Sequence, residues 1–142
     1  VCQTGKTSAT KYANAATNFS NVCVGAFIAE MDMAYAVADV VISRAGAMSV
    51  AEICVVAKPA VFVPYPFAAE DHQTQNAMSL VNVKAAWLVK DIEARDILVD
   101  NVIKLANNKF EMQELIQNIK TLAKPNAGKE IATEVLKIIN GR

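Results

Sequence analysis

Short, continuous apolar runs alternate along this chain with stretches of helical periodicity. Val22-Cys-Val24, Val40-Val-Ile42, Ala60-Val-Phe-Val63 and Trp87-Leu-Val89 are unbroken rather than alternating, the pattern of strands covered on both faces. Val1-Cys2 reads as the tail of another. Between them lie segments of helical length at Met31 to Ala38, Ser49 to Ala57, and His72 to about Lys84. That repetition predicts an α/β domain, a Rossmann-like parallel sheet with helices on both faces. The helix from Ser49 is apolar nearly all round (Val50, Ala51, Ile53, Cys54, Val55, Val56), which predicts a buried helix.

From Asp91 the pattern is helical only. Leu98, Val102 and Leu105 form one stripe, and Met112, Leu115, Ile116, Ile119 and Leu122 a stronger one. Lys124-Pro125 predicts its end, because proline restricts the residue before it. A last helix from about Lys129 carries Ile131, Val135, Ile138 and Ile139 on its predicted inner side and stops near Asn140-Gly141. Thr7 to Asn21 lacks clear periodicity and fits either a loop or a loosely packed helix.

At 142 residues the chain is one domain's worth and can bury a core. Fourteen basic and fourteen acidic residues cancel, so no global field favours nucleic acid or an anionic membrane. No apolar stretch is long enough to span a bilayer, and no signal-peptide pattern opens the chain. Cys2, Cys23 and Cys54 are an odd set without metal-ligand spacing and read as reduced, cytosolic core thiols. The spacing offers no metal site, no nucleophile with its base, and no nucleic-acid platform.

In open α/β sheets, ligands bind beyond the carboxyl ends of the strands. The loops expected there are Gln3 to Lys6, Gly25 to Ile28, Arg44 to Ala47, and Pro64 to Gln73. "SRAGAMSVAE" at 43–52 admits two readings. Ser49 and Glu52 fit a capping box that satisfies a helix start. Alternatively, Ala45, Gly46 and Ala47 keep bulk away so that a phosphate reaches the amides of Ala47, Met48 and Ser49. Glu52, one turn on, then accepts ribose hydroxyls. In Asp71-His-Gln-Thr-Gln-Asn76, Gln73 and Asn76 share a helix face and suit sugar hydroxyls; a solvated polar helix start is the blander account. His72 is the only histidine. Phe27-Ile28-Ala-Glu-Met31 offers backbone groups to a base edge, with the side chains read as core. Gln3-Thr-Gly-Lys6 is a short candidate phosphate loop.

"QTGK" at 3–6, "FIAEM" at 27–31, "ADVVISRAGAMSVAEI" at 38–53, "KPAVFVPYP" at 58–66 and "DHQTQNA" at 71–77 together resemble the MurG family. These are GT-B glycosyltransferases that add GlcNAc from UDP-GlcNAc to lipid I in bacterial peptidoglycan synthesis, with inversion and a β-1,4 link. The resemblance covers nearly the whole chain and implies most of a C-terminal, donor-binding domain. It gives Ile28 a backbone contact to uracil, and Ala47, Met48 and Ser49, in the Arg44-Ala45-Gly46 context, contacts to the diphosphate-sugar region. It gives Glu52 the ribose, Gln73 and Asn76 the GlcNAc hydroxyls, and His72 a donor-side position rather than a base.

The same resemblance implies no protein-bound metal and no cofactor beyond the UDP-GlcNAc substrate. It places the lipid I acceptor site, the membrane-facing patch and the base in an N-terminal domain outside these residues. The family's glycine-rich first loop would precede Val1. The chain is therefore expected to be partial, without a catalytic residue of its own and inactive in transfer by itself. The intact protein is expected in the bacterial cytoplasm, at the cytoplasmic face of the inner membrane. A non-catalytic nucleotide-sugar-binding subunit of a split glycosyltransferase, or a related GT-B enzyme using another UDP-sugar, are the alternatives.

Overall fold

The computed structural model describes residues 1–141, which divide into two compact units, 1–38 and 39–141. In the first unit, β1 (Cys2–Gln3) pairs in parallel with β2 (Val24–Gly25), joined by α1 (Ala9–Ala16); α2 (Met31–Val37) follows. The weakly periodic stretch 7–21 thus holds a helix, one without a buried residue. The strand expected at Val22–Val24 starts two residues later. Cys2 and Cys23 are exposed, against their reading as core thiols, because a two-stranded ladder has no interior strand to shelter them. Phe27, also read as core, is 74% exposed, while Ile28 and Met31 are half-buried.

The second unit is built on a three-stranded parallel sheet of β3 (Val41–Ser43), β4 (Ala60–Phe62) and β5 (Trp87–Leu88), in that order. Val41, Ile42 and Ser43 oppose Ala60, Val61 and Phe62; Val61 and Phe62 oppose Trp87 and Leu88. The crossovers are α3 (Ala47–Val56) and α4 (His72–Val81), which pack on each other. Right-handed crossovers in a sequential order put both on one face of the sheet. On the other face, Val61 and Val63 of the central strand pack with Val89, Leu105 and Leu115. Leu105 belongs to α5 (Asp91–Asn107) and Leu115 to α6 (Lys109–Lys120). Asn108 caps α6, its side chain accepting from the amide of Glu111 at 3.1 Å.

Full cover on both faces holds only for β4, whose three residues are all buried; β3 is an edge strand and Ile42 is half-exposed. The apolar α3 buries only Ile53 and Cys54, because a helix lying on a sheet turns one side to it. Burial pushes the Cys54 thiol above its usual range, so it is an inert core group. α6 ends at Lys120, before the Lys124-Pro125 step. α7 (Ala127–Asn140) has no buried residue, so the inward placement expected for Ile131, Val135, Ile138 and Ile139 does not hold: no described element covers that stripe. Among the described residues no helix is long and apolar enough to cross a membrane.

The core of the second unit turns on Leu105, which is fully buried between α5 and the sheet. Leu105→Ala should cost ~2–5 kcal/mol in denaturant unfolding through lost burial and a residual cavity. A loss below ~1 kcal/mol would mean that this face of the sheet is not packed as described.

Candidate functional site

The carboxyl ends of β3 and β4 diverge after a last ladder bond from the Val63 amide to the Ser43 carbonyl at 2.9 Å. Beyond it the chain must satisfy its peptide groups without the sheet. Arg44 bridges the gap. Its Nη1 donates to the carbonyls of Val63 and Pro64, both at 3.1 Å, and pairs with the Asp91 carboxylate at the start of α5. Its guanidinium lies 5.6 Å from the Tyr65 ring centroid, and Tyr65 in turn meets Phe67 edge to face. Arg44 therefore ties three strand ends together.

The next residue, Ala45, is fully buried and leaves the sheet entirely. Both of its peptide groups are taken by the first turns of α4. The Ala45 amide donates to Gln73 Oε1 at 3.1 Å, and Asn76 Nδ2 donates to the Ala45 carbonyl at 3.0 Å. The same Gln73 oxygen accepts from the Tyr65 amide at 2.9 Å. α4 is brought there by a sharp turn in which Glu70 (φ 48°) and Asp71 (φ 55°) are both left-handed, a conformation costly for residues with a Cβ. Gln75 Nε2 steadies that turn by donating to the Glu70 carbonyl at 3.1 Å.

α3 then begins at Ala47 with Gly46 as its N-cap and no side chain capping it. The first i→i−4 bond runs from the Val50 amide to the Gly46 carbonyl at 3.0 Å. The amides of Ala47, Met48 and Ser49 precede it and point out of the helix start, at the positive end of its dipole. Of the two readings of "SRAGAMSVAE", the capping box does not form. Ser49 is the third residue of the helix and sits three positions past the N-cap, too late to cap it. Met48 is 74% exposed and Glu52 exposed, one turn further along and four residues from Met48, on a shared face.

Gly46 has ordinary backbone angles (φ −63°, ψ 147°), and a Cβ placed on it would meet nothing within 4 Å. The fold itself therefore does not require glycine there. His72 is on the surface, its Nε2 3.5 Å from the Glu70 carboxylate. In the first unit the Ile28 amide donates to Gln3 Oε1 at 2.8 Å. The Thr4 and Gly5 amides pair with the carbonyls of Gly25 and Ala26, so these two amides of "QTGK" are taken within the fold, and Gly5 turns left-handed (φ 73°) just past β1.

The structure thus brings Arg44 through Ser49 together with Gln73 and Asn76 in the second unit. Asp91, Tyr65 and Gln3 also hold the site residues, and sequence reasoning missed these roles. For Asp91 the available signal was an acidic residue opening a helix after a strand, which does not by itself name Arg44 as its partner. Among the described residues no group of three His, Cys, Asp or Glu is placed to hold a metal ion.

Residues 1–131 match the family described as Glycosyltransferase family 28 C-terminal domain. A Cytophaga hutchinsonii protein is 46% identical over 123 residues, covering 87% of this chain and 33% of its own length. A Bacteroides fragilis protein is 45% identical over 141 residues, covering 97% of this chain and 37% of its own. Both are named UDP-N-acetylglucosamine–N-acetylmuramyl-(pentapeptide) pyrophosphoryl-undecaprenol N-acetylglucosamine transferase. The chain spans about a third of the length of these curated relatives. The crystal structure of Acinetobacter baumannii MurG superposes with a TM-score of 0.82 at 29% identity, over 95% of this chain and 42% of that one.

Because a Cβ at position 46 meets only open space, Gly46→Ala should change unfolding stability by less than ~1 kcal/mol, the scale of an N-cap exchange between these residues. A loss well above that in denaturant unfolding would show that the fold, rather than a ligand, sets the glycine.

Proposed function

Since the chain belongs to the glycosyltransferase family 28 C-terminal domain family, we propose that it is the part of a glycosyltransferase that grips UDP-GlcNAc. The observation that carries this reading is the start of α3. Three successive amides, uncapped by any side chain and fronted by a glycine the fold does not need, form a seat for a diphosphate. Glu52 stands on the same helix one turn on, where a carboxylate accepts the two hydroxyls of a ribose. The relatives' printed names supply the sugar and the reaction class.

In the intact protein the proposed reaction adds GlcNAc to lipid I to form lipid II, at the cytoplasmic face of the bacterial inner membrane. The acceptor hydroxyl attacks the anomeric carbon from the side opposite the diphosphate. The bond from that carbon to the β-phosphate oxygen breaks, and UDP leaves with the electron pair. Inversion follows from the single displacement. The hydroxyl proton passes to a base outside these residues, as the acceptor site is proposed to lie in the remaining two-thirds of the relatives' length. The domain's own contribution is electrostatic. Fixed amide dipoles face the oxygens on which charge develops, so the leaving group is stabilised without reorganisation at the moment of bond breaking. No protein-held metal takes part in this scheme. For the first unit, a uracil contact through the Ile28 amide requires the Gln3 carboxamide to give up that amide.

Glu52→Ala should weaken UDP binding by ~1–3 kcal/mol, the range for hydrogen bonds to a charged group, as read by calorimetry on the intact protein. Gly46→Ala should weaken UDP while sparing stability, since the added methyl enters the space a phosphate needs. UDP affinity should be the same with and without EDTA. Unchanged UDP affinity in Glu52→Ala would sink the ribose assignment, and unchanged affinity in Gly46→Ala the diphosphate one.

A further inference from the structure

We infer that the Gln3 carboxamide is a stand-in for the base, holding in the free protein the backbone amide that uracil takes when the nucleotide enters. This rests on the reading of Ile28 as the uracil contact and names what that site holds while empty. The Ile28 amide donates to Gln3 Oε1 at 2.8 Å, across 25 residues of chain. A primary carboxamide carries a carbonyl acceptor beside an N–H donor. The O4 and N3–H edge of uracil has the same acceptor and donor side by side. One amide hydrogen therefore meets the same chemical group from either source, and a full bond to one withdraws it from the other.

The bond is not one that the fold needs. It lies at the surface, with Gln3 exposed, and an amide within reach of water carries little penalty for lacking a protein partner. Holding a glutamine side chain in one rotamer also costs conformational entropy. The loop has other supports. The Gly25 carbonyl accepts from the Thr4 amide at 3.0 Å and from Thr4 Oγ1 at 3.3 Å. The Ala26 carbonyl accepts from the Gly5 amide at 3.1 Å. These bonds hold the chain up to Ala26 without the Gln3 side chain, so removing the carboxamide frees the Ile28 amide and leaves the loop in place. A residue that builds a site or grips the base loses affinity when it is cut back. A stand-in does the opposite. Its removal lets the base bind more tightly, because the seated carboxamide keeps the site in a state that cannot accept the ligand.

The test uses the intact protein, with uridine as the probe so that no phosphate contributes. Gln3→Met keeps the length of the side chain and removes the oxygen. It should tighten uridine binding by about two- to ten-fold, the net worth of one hydrogen bond exchanged with water. In the ligand-free variant the Ile28 amide should exchange faster with solvent than in the wild type, with the Thr4 and Gly5 amides unchanged. Gln3→Glu keeps the acceptor and charges it, which strengthens its bond to the amide, so uridine should bind more weakly than to the wild type. Saturating uridine should shift the wild-type Ile28 amide and move the Gln3 side-chain resonances to those of a free glutamine.

Weaker or unchanged uridine binding in Gln3→Met would overturn the inference, and so would tighter binding in Gln3→Glu. Should Gln3→Met fail to fold, Gln3→Ser, too short to reach the Ile28 amide, decides by the same sign. A wild type that binds no uridine, or whose Ile28 amide saturating uridine leaves unmoved, would overturn the uracil reading itself. That failure is separable from failure of the stand-in, because the bond between Gln3 and Ile28 is read by amide exchange without ligand.

Discussion

Everything distinctive about the carboxyl edge of the second unit depends on how one buried residue, Ala45, satisfies its backbone. The residue lies beyond the last bond between β3 and β4, where neither the sheet nor α3 can pair its amide and carbonyl. Water is excluded as well, so the groups need protein partners or incur the penalty of buried unsatisfied polar atoms. Gln73 and Asn76 supply them from α4. In doing so they tie Ala45 to residues 28 and 31 positions further along the chain, and they fix where α3 begins. Arg44 does the companion task on the sheet side, taking the carbonyls that β4 presents after the ladder ends.

From that constraint the chemistry follows with little further help. A helix whose first turn has no side-chain cap would ordinarily be a weakness, since its first amides have no partner inside the helix. Here the polar side chain within that turn, Ser49, lies too late to cap it, and the residue in front is a glycine with open space where a Cβ would stand. Such a start is of use to a protein that binds an anion and of little use to one that does not. The fold supplies the surroundings: β4 is buried on both faces, and α5 and α6 close the far side of the sheet. The proposed seat is thus carried on packed elements.

Much of this was legible in the residues alone, and the exceptions have physical causes. Apolar runs located all five strands to within two residues, because short apolar runs separated by helix-length segments mark a β-α alternation even where the strands are only partly covered. The start of α3 was not legible. Ser49 and Glu52 imitate a capping box in letters, and only the backbone shows that the helix starts at Ala47. The exposed stripe of α7 and the exposed Phe27, Cys2 and Cys23 were also misread. Sequence apolarity says that a side chain would gain from burial and not whether an element of this chain covers it. Gln73 and Asn76 drew notice by their type and spacing, and only the family resemblance gave them a place at the site. Their hydrogen-bond partners, Ala45 and Tyr65, are long-range contacts that no local pattern encodes.

The central claim is that the α3 amides hold the diphosphate, and the direct measurement is a comparison of amide shifts on titration with UDP and with uridine in the intact protein. The difference between the two ligands isolates the phosphates. The account predicts that this difference concentrates on Ala47, Met48 and Ser49. A difference that leaves those three amides unmoved and falls elsewhere on the protein would contradict it.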